Sequence, residues 1–255
     1  MHSHNKFEGQ KGFTLVELSI VLVIIGLIIS SVLVGQDLIR SSEIRATVTQ
    51  YEQFNAGLGT FRGKYGGIPG DVAGETDFGF TGDGNGDGIL AATGTSGHAA
   101  GENVYFWNHL GSSGAGLISG SYDGTAVTTT AGDIDNSTPS AKVGENWGVF
   151  AASGVNYFII GATTPGTNSY QATAAVFNSL DAMNMDEKID DGRPYRGIVQ
   201  ARAANASDAD TDPSYDQGSD AESCTGGSTA SLTTAATYNT AYTAIDCTLR
   251  LRFNL

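Results

Sequence analysis

The chain has 255 residues, enough for one folded domain with an appended helix, and 40% of them are hydrophobic, which argues against a disordered chain. Its 27 acidic against 13 basic residues give a net charge of −14 and argue against a nucleic-acid partner, whose phosphates demand a basic footprint. The 35 glycines, 5 prolines and 16% charged residues point to a loop-rich, β-containing body, while the acidic surplus suits an extracellular surface, hard cations or plain solubility.

Residues 13–34, FTLVELSIVLVIIGLIISSVLV, form 22 nearly continuous apolar positions. As a helix they extend about 33 Å, enough to span a bilayer core. A secretory signal would have a shorter apolar region that ends in a small-residue cleavage site. No such site follows here, and a carboxylate, Glu17, stands inside the run. Lys6 and Lys11 ahead of the run place the short N-terminus in the cytoplasm. Glu17 costs a few kcal/mol in such a setting, so it is read as a functional acid in need of a cationic partner. A protonated Glu17 near the interface is the alternative. Cutting the chain after Gly12 would create a partner, the α-amino group of Phe13, about one helical turn away in the same chain or on a staggered neighbour.

The stretch GFTLVELSIVLVIIGLI resembles the prepilin cleavage/methylation motif of type IV pilins and type II secretion pseudopilins. The resemblance covers about residues 7–40 and leaves the rest of the chain unidentified. It implies cleavage by a prepilin peptidase between Gly12 and Phe13, N-methylation of Phe13, and Glu17 as the assembly acid at the fifth mature position. It also implies a single pass through the bacterial inner membrane with the head outside the cytoplasm. From there the subunit would join copies of itself and other pilins, in a surface pilus or a periplasmic pseudopilus. One departure is Val34-Gly35, where such proteins often carry a proline; glycine is the weaker helix breaker.

Beyond the membrane run, Ile44, Val48, Tyr51, Leu58, Phe61 and Tyr65 recur at helical spacing, with Phe54 on the same side. The helix is therefore expected to continue to about residue 64, ended by Gly66-Gly67, for a length of about 78 Å. The expected organisation is a leader at 1–12, a membrane and filament-core helix at 13–35, its amphipathic continuation at 36–64 and a globular α+β head at 65–255. Within the head, 102–110 and 172–187 read as helices, the second with Val176, Leu180 and Met183 on one side. Residues 156–162, 196–202 and 245–253 read as strands. The fold class is α+β, a long N-terminal helix packed on an antiparallel-sheet head. Residues 205–222 hold six acids and no basic residue, a solvated loop.

Cys224 and Cys247, with 22 residues between them, read as one disulfide in a chain that leaves the cytoplasm; two free thiols are the alternative. Asp83, Asn85, Asp87 and Gly88 match the first half of a calcium loop, D-x-[DN]-x-[DN]-G, with a backbone ligand expected at Ile89. Gly94 stands where a bidentate Glu would complete it, so Asp71, Glu75, Asp77 or Glu102 is expected to supply the missing carboxylate. Asp186, Asp190 and Asp191 form a weaker acidic group. No catalytic arrangement surrounds His98 or His109, and each is expected to be solvated. The expectation is a structural filament subunit rather than an enzyme. A secretion pseudopilin and a non-polymerising, membrane-anchored, calcium-dependent adhesin remain the alternatives.

Overall fold

The computed structural model describes residues 12–74, 78–91, 101–126, 136–152, 154–161, 175–203, 224–225 and 237–254. The expected donors Glu75 and Asp77, His98 and the acidic run 205–222 lie outside them, as does the leader before Gly12. Contacts divide the chain into two units, Met1–Ser42 and Glu43–Leu255.

Helix α1 runs Leu15–Tyr65 and is helical through Gly35. In the first unit its apolar side chains are exposed, from Leu15 at 86% to Val34 at 59%. This helix is long and apolar enough to cross a membrane by length and composition.

The second unit is built on a four-stranded antiparallel sheet in the order β1-β2-β4-β3, with β1 Asn146–Ala152, β2 Val155–Gly161, β3 Val199–Ala203 and β4 Cys247–Arg252. Among the described residues two shorter helices accompany it, α2 Glu102–Leu110 and α3 Ser179–Ile189. The β1–β2 hairpin pairs Ala152 with Val155, and Gly154 between the strands takes φ 77°.

Strand alternation sorts the side chains onto two faces. One face carries Trp147, Val149, Phe158, Ile160, Val199, Leu249 and Leu251 into the main core, against Ile44, Val48, Tyr51, Phe54, Leu58 and Phe61 of α1. Phe54 meets Trp107 and Trp147 edge-on at 5.0 and 5.3 Å between ring centres. Polar bonds fix the register of α1 on the sheet: the Tyr51 hydroxyl donates to the Arg252 carbonyl at 2.9 Å, and Asn55 Oδ1 accepts the Asn254 N–H at 3.0 Å. The opposite face holds a smaller cluster of Phe150, Ala152, Tyr157 and Ile159 with Val104 of α2. Cys224 and Cys247 are joined in a disulfide, both fully buried.

Three expectations need correction. Strand β1 has no counterpart among the expected strands, because NWGVFAA is buried on both faces and shows no period-two signal. Helix α3 begins at Ser179, later than expected: the Asn178 side chain caps it by accepting the Asp181 N–H at 2.8 Å. Phe177 is instead bridged to Cys247 of β4. The buried face consequently carries Ala182 and Met185, and Leu180 is 48% exposed. His109 is fully buried: Nδ1 accepts the Gly70 N–H at 2.9 Å, which leaves the proton on Nε2 to donate to the Thr81 carbonyl at 2.8 Å. Its ring stacks with Phe80 at 5.0 Å. The imidazole ties Gly70 and Thr81 to α2.

Candidate functional site

The start of α1 is organised around Glu17. Its Oε2 accepts the Thr14 N–H at 2.8 Å and the Thr14 hydroxyl at 2.7 Å, while Thr14 Oγ1 accepts the Glu17 N–H at 3.3 Å. Thr14-Leu-Val-Glu17 is a capping box, in which two orphan backbone donors of the first turn are satisfied reciprocally. The carboxylate also sits where the helix dipole favours negative charge. The intrachain partner of Glu17 is therefore Thr14, a residue the sequence reading passed over although the S/T-x-x-E spacing announces it. Gly12 and Phe13 immediately precede the box and lie outside the helix.

The second candidate is the glycine-rich loop 82–91. Asp71 and Glu102, 2% and 6% exposed, act on it from two sides. Asp71 accepts the N–H groups of Gly86 at 3.1 Å and Gly88 at 2.8 Å, one on each oxygen. Glu102, in the first turn of α2, accepts those of Asn85 at 3.0 Å and Ala91 at 2.7 Å. Asn156 of β2 closes the end of the loop, accepting the Leu90 N–H at 2.9 Å and donating to the Gly88 carbonyl at 2.8 Å. No sequence signal singled out Asn156, since its role depends on pairing distant segments. The approach is so close that a Cβ at Gly84 would collide with the Asp71 backbone. At Gly70, φ 83°, a Cβ would meet the Phe106 nitrogen of α2 at 2.7 Å.

Inside the loop, Asn85 Oδ1 accepts the Asp87 N–H, and Asp87 Oδ1 accepts the Ile89 N–H, each at 2.8 Å; the Asn85 amide donates to Asp87 Oδ2 at 3.0 Å. Burial pushes the Asp71 and Glu102 carboxyls above their ordinary range. The loop N–H bonds pull each back down, and the facing acids add to the upward push, Asp87 on Asp71 and both Asp71 and Asp87 on Glu102. The donor set is all hard oxygen, as Ca²⁺ prefers, and Gly88 has the φ of 85° that the loop pattern asks of its sixth position. The oxygens of Asp71, Asn85, Asp87 and Glu102 are nonetheless each engaged by an N–H, so the loop is held together by its own hydrogen bonds.

At the end of α3, Asp186, Asp190 and Asp191 bring one carboxylate oxygen each within 4.8 Å of one another. Asp186 is fully buried, accepting the Tyr238 hydroxyl at 2.8 Å and the Gly192 N–H at 3.3 Å. Burial pushes its carboxyl up to about 7, the two hydrogen bonds working against the shift and the charges of Asp190 and Asp191 adding to it. Asp190 Oδ2 accepts the Ile198 N–H and Asp191 Oδ1 the Arg193 N–H, so the group also shapes the turn into β3.

Together these features describe a protein with an apolar, membrane-capable N-terminal helix and an α+β head. More particularly, the prokaryotic N-terminal methylation motif matches residues 9–33, so the N-terminus carries a prepilin-type motif. No curated protein and no solved structure matches the chain.

Proposed function

We propose that this chain is the structural subunit of a type IV pilus-like filament, made as a prepilin, cut between Gly12 and Phe13 and N-methylated on Phe13. The observation that carries the reading is the methylation motif coinciding with a helix start where Thr14 holds Glu17, five residues beyond Gly12. Cleavage exposes a cationic amine on Phe13 next to a fixed carboxylate in an apolar segment. On a neighbouring copy the same amine neutralises the same acid, which lets helices that left the membrane bundle together. The test is mass spectrometry of the N-terminus after co-expression with a prepilin peptidase, with imaging of the product. A chain beginning at methylated Phe13 and present in fibres is expected. An intact leader and a lasting monomer would instead identify a membrane-anchored protein that does not polymerise.

Loop 82–91 enters the proposal as a Ca²⁺ site. The charges that act on Glu102 are those of Asp71 and Asp87, both negative, and a divalent cation among them would relieve that repulsion. Calorimetry of Ca²⁺ into the full chain should give heat that Asp87→Ala abolishes. Silence at millimolar Ca²⁺ overturns this part and leaves the filament reading intact.

A further inference from the structure

A cavity of about 690 Å³ opens in the second unit beside loop 82–91. Arg62 and Tyr65 reach it from the last turn of α1, Arg252 from the end of β4, and Gly154 from the β1–β2 turn. Both arginines are exposed, and among the described residues neither guanidinium has an ion-pair partner. Lys64 adds a third cation nearby, its Nζ 4.8 Å from the centre of the Tyr65 ring. The acids on the cavity wall, Asp71 and Asp87, are already turned to N–H groups of the loop. In a chain of 27 acids and 13 bases, a cavity wall with two arginines beside only two acids, both already engaged by loop N–H groups, is richer in cations than the chain as a whole.

We propose that this cavity binds the carboxylates of an acidic peptide segment, and that the segment belongs to a second copy of this chain. Guanidinium groups are suited to carboxylates because their planar N–H forks match both oxygens. The volume exceeds what one ion needs, and it accommodates a stretch of backbone whose own N–H groups can face Asp87. Charge complementarity selects the occupant: each copy carries a net −14, so acid is what its neighbour has to offer, and Arg62 and Arg252 are what receives it. The choice of a second copy rests on the filament reading above; the carboxylate specificity does not.

Two measurements separate these. The full chain, solubilised in detergent, is titrated with a tetra-aspartate peptide and with tetra-serine while the Nε–H signals of Arg62 and Arg252 are followed by NMR. Saturable shifts of both signals with tetra-aspartate alone are expected, weakened by added salt and about tenfold weaker for each guanidinium lost in Arg62→Gln and Arg252→Gln. No shift, or the same shift with tetra-serine, overturns the carboxylate site. In cells that assemble the protein, a photo-cross-linking residue at Tyr65 should then capture an acidic peptide of another copy, with the product lost in the Arg62→Gln/Arg252→Gln double variant. Capture of a different protein, or a cross-link that persists in the double variant, overturns the second-copy assignment. If the unsubstituted chain forms no fibres, the filament reading fails while the titration still decides the cavity.

Discussion

Replacing Asp186 by Asn isolates the energetic effect of a buried acid. In the folded chain this carboxyl is fully buried and raised to about 7, whereas unfolded it returns to its ordinary 3.8. The folded state therefore binds the proton more tightly. Its stabilising contribution is complete below the unfolded value and is lost as pH rises through the folded one. A shift of about three pH units corresponds to an upper limit of about 4 kcal/mol, lost between roughly pH 4 and 7. Asn keeps the acceptor for the Tyr238 hydroxyl but turns an amide toward the Gly192 N–H, a pH-independent cost of about 1 kcal/mol. Urea unfolding of both full-length proteins should thus show curves that cross. Asp186→Asn should be slightly weaker near pH 4 and more stable by up to about 3 kcal/mol at pH 8. Parallel curves for the two proteins over that range would refute the assignment of a protonated, buried Asp186.

Truncating Phe54 to Ala, at the junction of Trp107, Trp147 and Phe158, should cost about 3–5 kcal/mol in the same unfolding assay. Asn156→Ala removes both bonds that hold Gly88 and Leu90; a loss of about 2 kcal/mol and faster amide exchange at Leu90 are expected, with exchange at Leu58 in α1 changed only by the global loss. Reducing the Cys224–Cys247 bridge should lower stability by about 3 kcal/mol and leave the β1–β2 hairpin the last element to exchange. Glu17→Gln should keep the helix start yet abolish fibre formation, whereas Glu17→Ala should lose both; the first is read by proton exchange at Thr14 and Glu17, the second by imaging.

What the sequence displays depends on how local the physics is. The aromatic stripe of α1 was legible because a helix packed on one side repeats its apolar residues every three or four positions, and Ile44 through Phe61 are indeed the buried ones. Helix α2 was legible from its apolar face, β2 from its unbroken YFII run and β4 from its alternation, while β3 was found to within a few residues. Strand β1 was not, because both of its faces are covered and alternation disappears. Phe177 looked helical by composition, but its pairing with Cys247 lies 70 residues away in the chain, and a long-range bridge overrides local preference. Asn156 and His109 escaped notice because their importance lies in which backbone groups the fold delivers to them. A polar residue that satisfies a distant loop leaves no pattern in its own neighbourhood.

Glu17 illustrates the limit from the other side, since one residue there serves two physical needs. The first is local: four backbone N–H groups open every helix, and Thr14 with Glu17 satisfies its share within four residues. Glutamine could do that equally well. The second is charge, which glutamine cannot supply. A carboxylate retained in an apolar helix is unfavourable unless a cation joins it, and among the residues before Ser30 the only cationic group that cleavage at Gly12 leaves behind is the new amine itself. The capping box explains why the acid is held rigidly enough to receive that amine. It does not explain why the acid should be ionisable; in the filament proposed above, that is the part the amine of a neighbouring copy would use.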